Sequence, residues 1–563
     1  MQKSNLNLIT RRGFLDAGMK SSLAVALSTL VDIPLVMKRA LAEGTIGLSG
    51  KKVLFIWLRG ANDGLNSIIP IQDSAYAPAR PTLAIPKDGN TTYTTAGGCD
   101  VQLSGTASTY GDYPYAIRLG NGFAALHPSL KFLAPAYNAG DLALIHRVAY
   151  PKQSRSHFDS QRYWENGFPN NNVSSEGIFY RAMVESGLAN SAPLTGVSIQ
   201  SSLPVILRGS EAAMTNLTDP TRYDLLGIPD NTAGNAKATN SLFAANGFPF
   251  PAKLNRDLLQ LQYGNMEKTL GVFASIKFAD ADNTFQDDIK TDDDIGWVPP
   301  AGTGGDSTKG YFLFPGTLAN GQPNSNKNGG WRRPDNSVDG GKYVVPPNQA
   351  SLFDRIKAAA LVLNQTSAII AGTEFGGFDT HTAQGGVTGA HPDLNRSLGW
   401  AMYALRKYFM IYGKNGTNPS PGAQTSWDDV VIVTLSEFGR TTVENADQGT
   451  DHAEASVMWV AGGGVQGYDA GSGRSGVFNC GSAGDPVVWN TGGSGAMYGV
   501  SGRYLSRACD YRQVLGEIIR DHLGATQAQL NRIIPGYANS AERLLTGGLS
   551  TDGVQIRGEL GIV

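Results

Sequence analysis

The sequence predicts an α/β protein, a three-layer α/β/α sandwich around a largely parallel central sheet. Three observations predict it. Short continuous apolar runs at 53–58, 142–148 and 430–435 have the length and β-branched content of strands buried on both faces. Helical patterns with one apolar face alternate with these runs, as in Leu394, Leu398, Met402, Leu405 and Phe409. Each run ends in a polar loop, and open α/β sheets place ligands at the carboxyl ends of their strands.

The elements follow in chain order. The run at 53–58 breaks at Arg59-Gly60-Ala61-Asn62-Asp63-Gly64, where the glycines permit a tight turn. Residues 72–125 are rich in Pro, Gly, Thr and Tyr and read as an excursion from the sheet. His127-Pro128 opens a helix over 129–138, and a second buried strand covers 142–148. Ser156 is placed as the N-cap of the next helix, where it meets unpaired N–H groups and the positive end of the helix dipole. An amphipathic helix is expected over 176–187, with short strands at 197–199 and 204–207. Residues 210–250 are small and polar, 251–278 read as a long helix, and 280–294 form a solvated acidic loop. That loop is not an EF-hand, because Phe285 stands where glycine is required. Residues 230–348 read as a loop-rich insertion or cap. A helix over 349–364, a strand over 368–371 and a long helix over 391–412 precede the run at 430–435. A strand at 456–460, an amphipathic helix at 510–523 and small helices complete the chain.

Composition bounds the function. The 563 residues suffice for two or three average domains or one large α/β domain with insertions. With 70 glycines and only 17% charged residues, the chain favours many ordered loops on a large core. Net charge is −2 and no long basic run follows the N-terminus, so nucleic-acid binding has no electrostatic footprint. Cys99, Cys480 and Cys509 lack the CxxC spacing of cysteine zinc sites; they allow one disulfide with a leftover thiol, or three thiols without a role.

The first 42 residues read as an address. The segment TRRGFL at 10–15 places Arg11 and Arg12 before an apolar stretch at 23–35, and Ala40-Leu41-Ala42 supplies an A-x-A processing site. This is the layout of a twin-arginine (Tat) export signal. The mature chain, 43–563, is therefore expected to leave through the Tat translocase for the periplasm or the medium. The apolar stretch is too short for a comfortable span and no later one reaches its length, so no stable membrane span is expected.

Chemistry-bearing residues gather after the strands. Asp63, Asp379, His381, Glu437, Asp451 and His452 follow predicted strands, and carboxylates with imidazoles on one rim can hold one or two divalent cations. Oxygen ligands favour Mg, Mn or Ca and imidazole favours Zn. Arg59, Arg155 and Arg440 fall near the same rim and can clamp a tetrahedral oxyanion. Ser156 is the candidate nucleophile, with Ser154 and His157 as competitors. Gly462–Gly467 fits a dinucleotide-loop spacing but has no helix pattern after it, and no G-x-S-x-G elbow occurs. His127, His146 and His522 read as structural, and His391 is open.

The motifs RRGFL, FIWLRGANDGLNSIIP, YPKQSRSHFDSQRYWENG, GGFDTH, LSEFGRT and GTDHAEASVMWVAGGGVQG, in this order, resemble the DUF1501 family, Tat-exported proteins of the alkaline phosphatase and sulfatase superfamily. The resemblance implies an alkaline-phosphatase-like fold and a two-metal site hydrolysing a small anionic ester. It implies one metal on Asp379, His381 and His452, another on Asp63 and Glu437, and a nucleophile at Ser156. Glu437-Phe438 stands where the superfamily has an Asp-His pair, so one imidazole ligand is missing from that pattern. A non-catalytic envelope binding or assembly protein that keeps the fold is the alternative.

The export reading makes a direct prediction. Replacing Arg11 and Arg12 by Lys should leave the full-length chain, with its leader uncleaved, in the cytoplasmic fraction; undiminished appearance of mature protein outside the inner membrane sinks it.

Overall fold

The computed structural model describes residues 49–95, 97–99, 114–188, 194–212, 214–219, 349–481, 487–489, 504–539 and 541–563, with a few isolated positions besides. The segment 1–42, the helix expected over 251–278, the acidic run and the insertion at 230–348 lie outside the described residues, apart from isolated positions.

The first apolar run becomes strand β1 (Lys52–Leu58), buried along its whole length. Because side chains alternate across a strand, Leu54, Ile56 and Leu58 enter one core cluster while Val53, Phe55 and Trp57 enter another. Both faces of the sheet therefore carry a core. The other sheet strands are β2 (Leu142–Ala149), β3 (Gly196–Ile199), β4 (Thr215–Leu217), β5 (Ile370–Phe375), β6 (Val430–Ser436), β7 (Ser456–Ala461), β8 (Val477–Phe478) and β9 (Cys509–Asp510). Helices cover both faces. On one side lie α3 (Ala350–Gln365) and α4 (Ala390–Tyr412); on the other lie α1 (His157–Asn166), α2 (Ile178–Glu185), α5 (Tyr511–Glu517) and α6 (Gln527–Ile533).

Among the described residues the sheet has nine strands in the order β8-β2-β7-β6-β1-β5-β3-β4, with β9 also paired to β2. The expected mixed α/β architecture with a mostly parallel sheet is present. Only β7 runs antiparallel to its neighbours β2 and β6. That reversal matters for the site, because it brings the start of β7 to the rim where β1, β2, β5 and β6 end.

Several local expectations change. Residues 205–207 form a 3-10 turn rather than a strand, since Pro204 donates no N–H and its carbonyl accepts from Leu207. The polar stretch after 210 contains β4, an edge strand with one neighbour, where a continuous apolar run is not required. The helix expected at 510–523 divides into α5 and a π-helical turn (Ile518–His522). A two-stranded hairpin (Gly548–Leu549 with Gln555–Ile556) closes the C-terminal region. All three cysteines are buried and none is in a disulfide.

The end of β6 is stitched to the segment before β7. Gly439 donates to the Glu454 carbonyl at 3.0 Å, Ala453 donates to that of Gly439 at 2.8 Å, and Arg440 bridges His452. This pairing depends on a bare Cα, because a Cβ on Gly439 would lie 1.8 Å from the Ala455 carbonyl oxygen. Gly439→Ala should therefore destabilise the chain by about 1–3 kcal/mol, as overpacking against backbone does. Urea denaturation measures it, and an unchanged midpoint contradicts the close approach.

Candidate metal centre

Four loops meet at the rim. The loop after β2 leads into α1 and carries Arg155, Ser156 and His157. The loop after β5 carries Asp379 and His381, the end of β6 carries Glu437 to Arg440, and the approach to β7 carries Asp451 and His452. The Nε2 atoms of His157 and His452 lie 3.1 Å apart. Asp379 Oδ1 is 3.6 Å from the first and 3.4 Å from the second. Among the described residues these three form the group whose ligand atoms all lie within 4.8 Å of one another. His381 Nε2 sits on the same edge, 2.9 Å from His452 Nε2 and 3.0 Å from Asp379 Oδ1.

The outward nitrogens fix the tautomers of His452 and His381. His452 Nδ1 faces the Arg155 carbonyl at 2.9 Å. A carbonyl only accepts, so Nδ1 carries the hydrogen and the Nε2 lone pair points into the cluster. His381 Nδ1 likewise faces the Asp451 carboxylate at 3.2 Å, and Asn445 donates to the same oxygen at 3.0 Å. His157 Nδ1 lies 3.5 Å from Glu437 Oε1. A hydrogen-bonded acceptor behind His381 and His452, with the other nitrogen turned inward, is the outer-shell arrangement of metal-ligating histidines, whereas His157 Nδ1 has no hydrogen-bond partner among the described residues. Phe438, fully buried, packs against the rings of His157 and His452 at centroid distances of 4.7 and 4.6 Å.

Electrostatics favour the unprotonated forms of His452 and Asp379. Burial lowers the His452 pKa, and the Arg440 charge and the neighbouring imidazoles lower it further. Burial alone would raise the Asp379 carboxyl, but the Arg440 hydrogen bond and charge, with His381 and His157, hold it below the usual range. Asp379 keeps 49% of its side chain exposed and His381 38%, so the centre opens to solvent.

The sequence-predicted residues divide. Asp379, His381 and His452 come together, and His157, expected only as a competitor for the nucleophile, supplies an imidazole among them. Asp451 stands behind His381 rather than in the cluster. Glu437 is buried with its oxygens on the Gly60 and Ala61 N–H groups, both at 3.0 Å. Gly60 adopts φ +104°, and a Cβ there would meet the Asp379 nitrogen at 2.4 Å, so this loop is threaded under the site by necessity. Asp63 is fully buried, caps a short helical turn and is held by Arg80 and Gln384.

The arginines also differ from expectation. Arg440 cannot clamp a substrate, since its side chain is fully buried and bonds to the carbonyls of Gly60, Ala61, Phe378 and Thr450 and to Asp379. Arg155 remains exposed, stacked over Tyr504 and bonded to its hydroxyl at 2.5 Å, while Arg59 bonds Gln161 at 2.6 Å. Ser156 is the N-cap of α1, its Oγ accepting from the Asp159 N–H at 3.4 Å. The Gly462, Gly463 and Gly467 amides all donate to protein carbonyls, so that loop does not cradle phosphate.

The other four of the chain's seven histidines are structural. His127, His146, His391 and His522 are buried, and burial depresses their pKa values to about 3, 3, 4 and 4. His391, open from sequence, bonds the Asn62 side chain at 2.9 Å.

The fold and the rim thus define a mixed α/β protein with a histidine–carboxylate cluster at its sheet edge. A family model described as "Protein of unknown function (DUF1501)" matches residues 358–472, a segment that carries Asp379, His381, Glu437, Arg440, Asp451 and His452 and leaves out His157. No curated protein and no solved structure matches the chain.

Two turns along α1 from His157, Glu165 is buried, and burial raises its carboxyl to about 7. The folded state then holds a proton that the unfolded state releases near pH 4.5, so native stability falls as pH rises through that window. Glu165→Gln removes the loss. Relative to the parent it should gain about 3 kcal/mol between pH 4 and pH 8, at about 1.4 kcal/mol per pKa unit. A difference constant with pH, from urea titrations at both ends, refutes the assignment.

Proposed function

We propose that this protein is a metal-dependent hydrolase of small anionic esters, phosphate or sulfate, centred on His157, Asp379 and His452. One observation carries the reading: inward-facing potential ligand atoms at mutual distances of 3.1, 3.4 and 3.6 Å. Ligands about 2.0–2.1 Å from a tetrahedral zinc ion stand about 3.3 Å apart, so these separations fit such a cation. The two imidazoles favour Zn over Mg or Ca, with Mn as the next candidate. A bound divalent cation supplies Lewis-acid polarisation of an ester oxygen and acidifies a water molecule.

The chain's own groups do the rest. His381, held at Nδ1 by Asp451, presents Nε2 beside the centre as a fourth ligand or as a general base. Arg155 and Arg59, the partly exposed cations of these loops, favour an anionic substrate. Ser156, one residue before His157 at the N-terminus of α1, is the proposed nucleophile. The alkaline-phosphatase-like sandwich and Tat-directed export to the periplasm belong to the same reading. A second reading comes from the ligand set, since two histidines and one carboxylate also serve non-haem iron oxygenases.

Protein purified from the cell envelope should carry zinc or manganese and hydrolyse aryl phosphates or sulfates. Asp379→Asn and His452→Ala should each lower kcat/KM by about 100-fold or more, the scale of losing a catalytic group. Rates equal to both variants refute hydrolysis and leave the binding-protein alternative, while stoichiometric iron favours the oxygenase.

A further inference from the structure

We infer that the centre takes one cation, not two, because a buried arginine already serves as the counter-charge at the second position. The inference rests on the metal-centre reading above and sets its stoichiometry.

Asp63 is the carboxylate that would anchor a second cation, and its lone pairs are taken. Arg80 grips it from both sides, Nη1 on Oδ2 at 2.5 Å and Nη2 on Oδ1 at 3.1 Å. Gln384 Nε2 donates to Oδ2 at 2.6 Å and the Leu65 N–H to Oδ1 at 3.2 Å. The guanidinium is equally committed. Its remaining N–H groups reach Asn66 Oδ1 at 2.8 Å and the carbonyls of Thr441 and Thr442 at 2.7 and 3.0 Å. Five donors thus meet five acceptors, and both side chains are fully buried. Glu437, the other expected ligand of a second cation, is occupied by the Gly60 and Ala61 amides.

Formal charge leads to the same count. Asp379 in the cluster, with Glu437 and Asp451 behind it, brings three negative charges and the buried Arg440 one positive, so −3 + 1 = −2 before the solvent-facing Arg155 and Arg59 are counted. One divalent cation neutralises that sum. Asp63 and Arg80 neutralise each other, −1 + 1 = 0, and present no charge for a second cation. Displacing Arg80 would strand a guanidinium in the core without a counter-ion, which buried pairs resist strongly.

The test counts metal. The chain is loaded with excess zinc or manganese, dialysed against metal-free buffer, and measured by elemental analysis and titration calorimetry. One equivalent per chain is expected, lost in His157→Ala and retained in Asp63→Asn. Two tight equivalents in the parent overturn the inference, as does a folded Asp63→Asn chain with less than one. If Asp63→Asn fails to fold, the count in the parent still decides. No bound cation in the parent overturns instead the metal-centre reading on which the inference stands.

Discussion

The Arg440 guanidinium is the interaction on which the rim depends. It is buried, and its N–H groups hold the carbonyls of Gly60 and Ala61 after β1, of Phe378 after β5 and of Thr450 before β7. Three loops distant in sequence are thereby fixed around one side chain. Such a group stays buried only if its charge is answered, and Asp379 answers it at 2.5 Å. The same carboxylate oxygen faces the imidazoles. Charge pairing in the scaffold and ligand geometry at the centre are therefore one constraint, which Lys at 440 could not satisfy because it lacks the planar fork.

The antiparallel β7 completes that constraint. Had the segment 456–461 run parallel to β6, its start would lie at the opposite edge of the sheet and His452 with it. Pairing of 439–441 with 451–454 instead lays His452 beside Arg440, with Gly439 small enough to permit contact. The fold thus brings His452 to the rim by strand direction, Asp379 by the loop after β5 and His157 by the capped start of α1.

Much of this was legible in the sequence, and the remainder was hidden for physical reasons. Buried strands such as β1 and β6 declare themselves because both faces are covered and every position is apolar. That Asp379, His381 and His452 share one rim was legible because they lie in the short loops that follow or precede such runs. Asp63 and Glu437 were misplaced because a carboxylate after a strand looks the same whether it meets a cation, an arginine or backbone amides. Only the fold reveals that Arg80, out in a loop-rich excursion, turns back onto Asp63. The edge strand β4 escaped because one-sided pairing leaves no apolar signature.

His157 and Phe438 are best understood together. The resemblance drawn from the sequence motifs leads to the expectation of an imidazole directly after Glu437, and the chain offers an aromatic ring without a lone pair. His157, 295 residues before His452, fills that need from α1, its ring packed on Phe438. The exchange has a consequence for the chemistry. An apolar wall behind two imidazoles excludes water from their faces, and the desolvation that lowers the His452 pKa follows from such packing. Glu437 then holds the amides of the β1 loop, 3.5 Å from His157 Nδ1, instead of standing at the centre itself. A residue that reads in sequence as a lost ligand is, in the fold, the surface against which the His157 imidazole is packed.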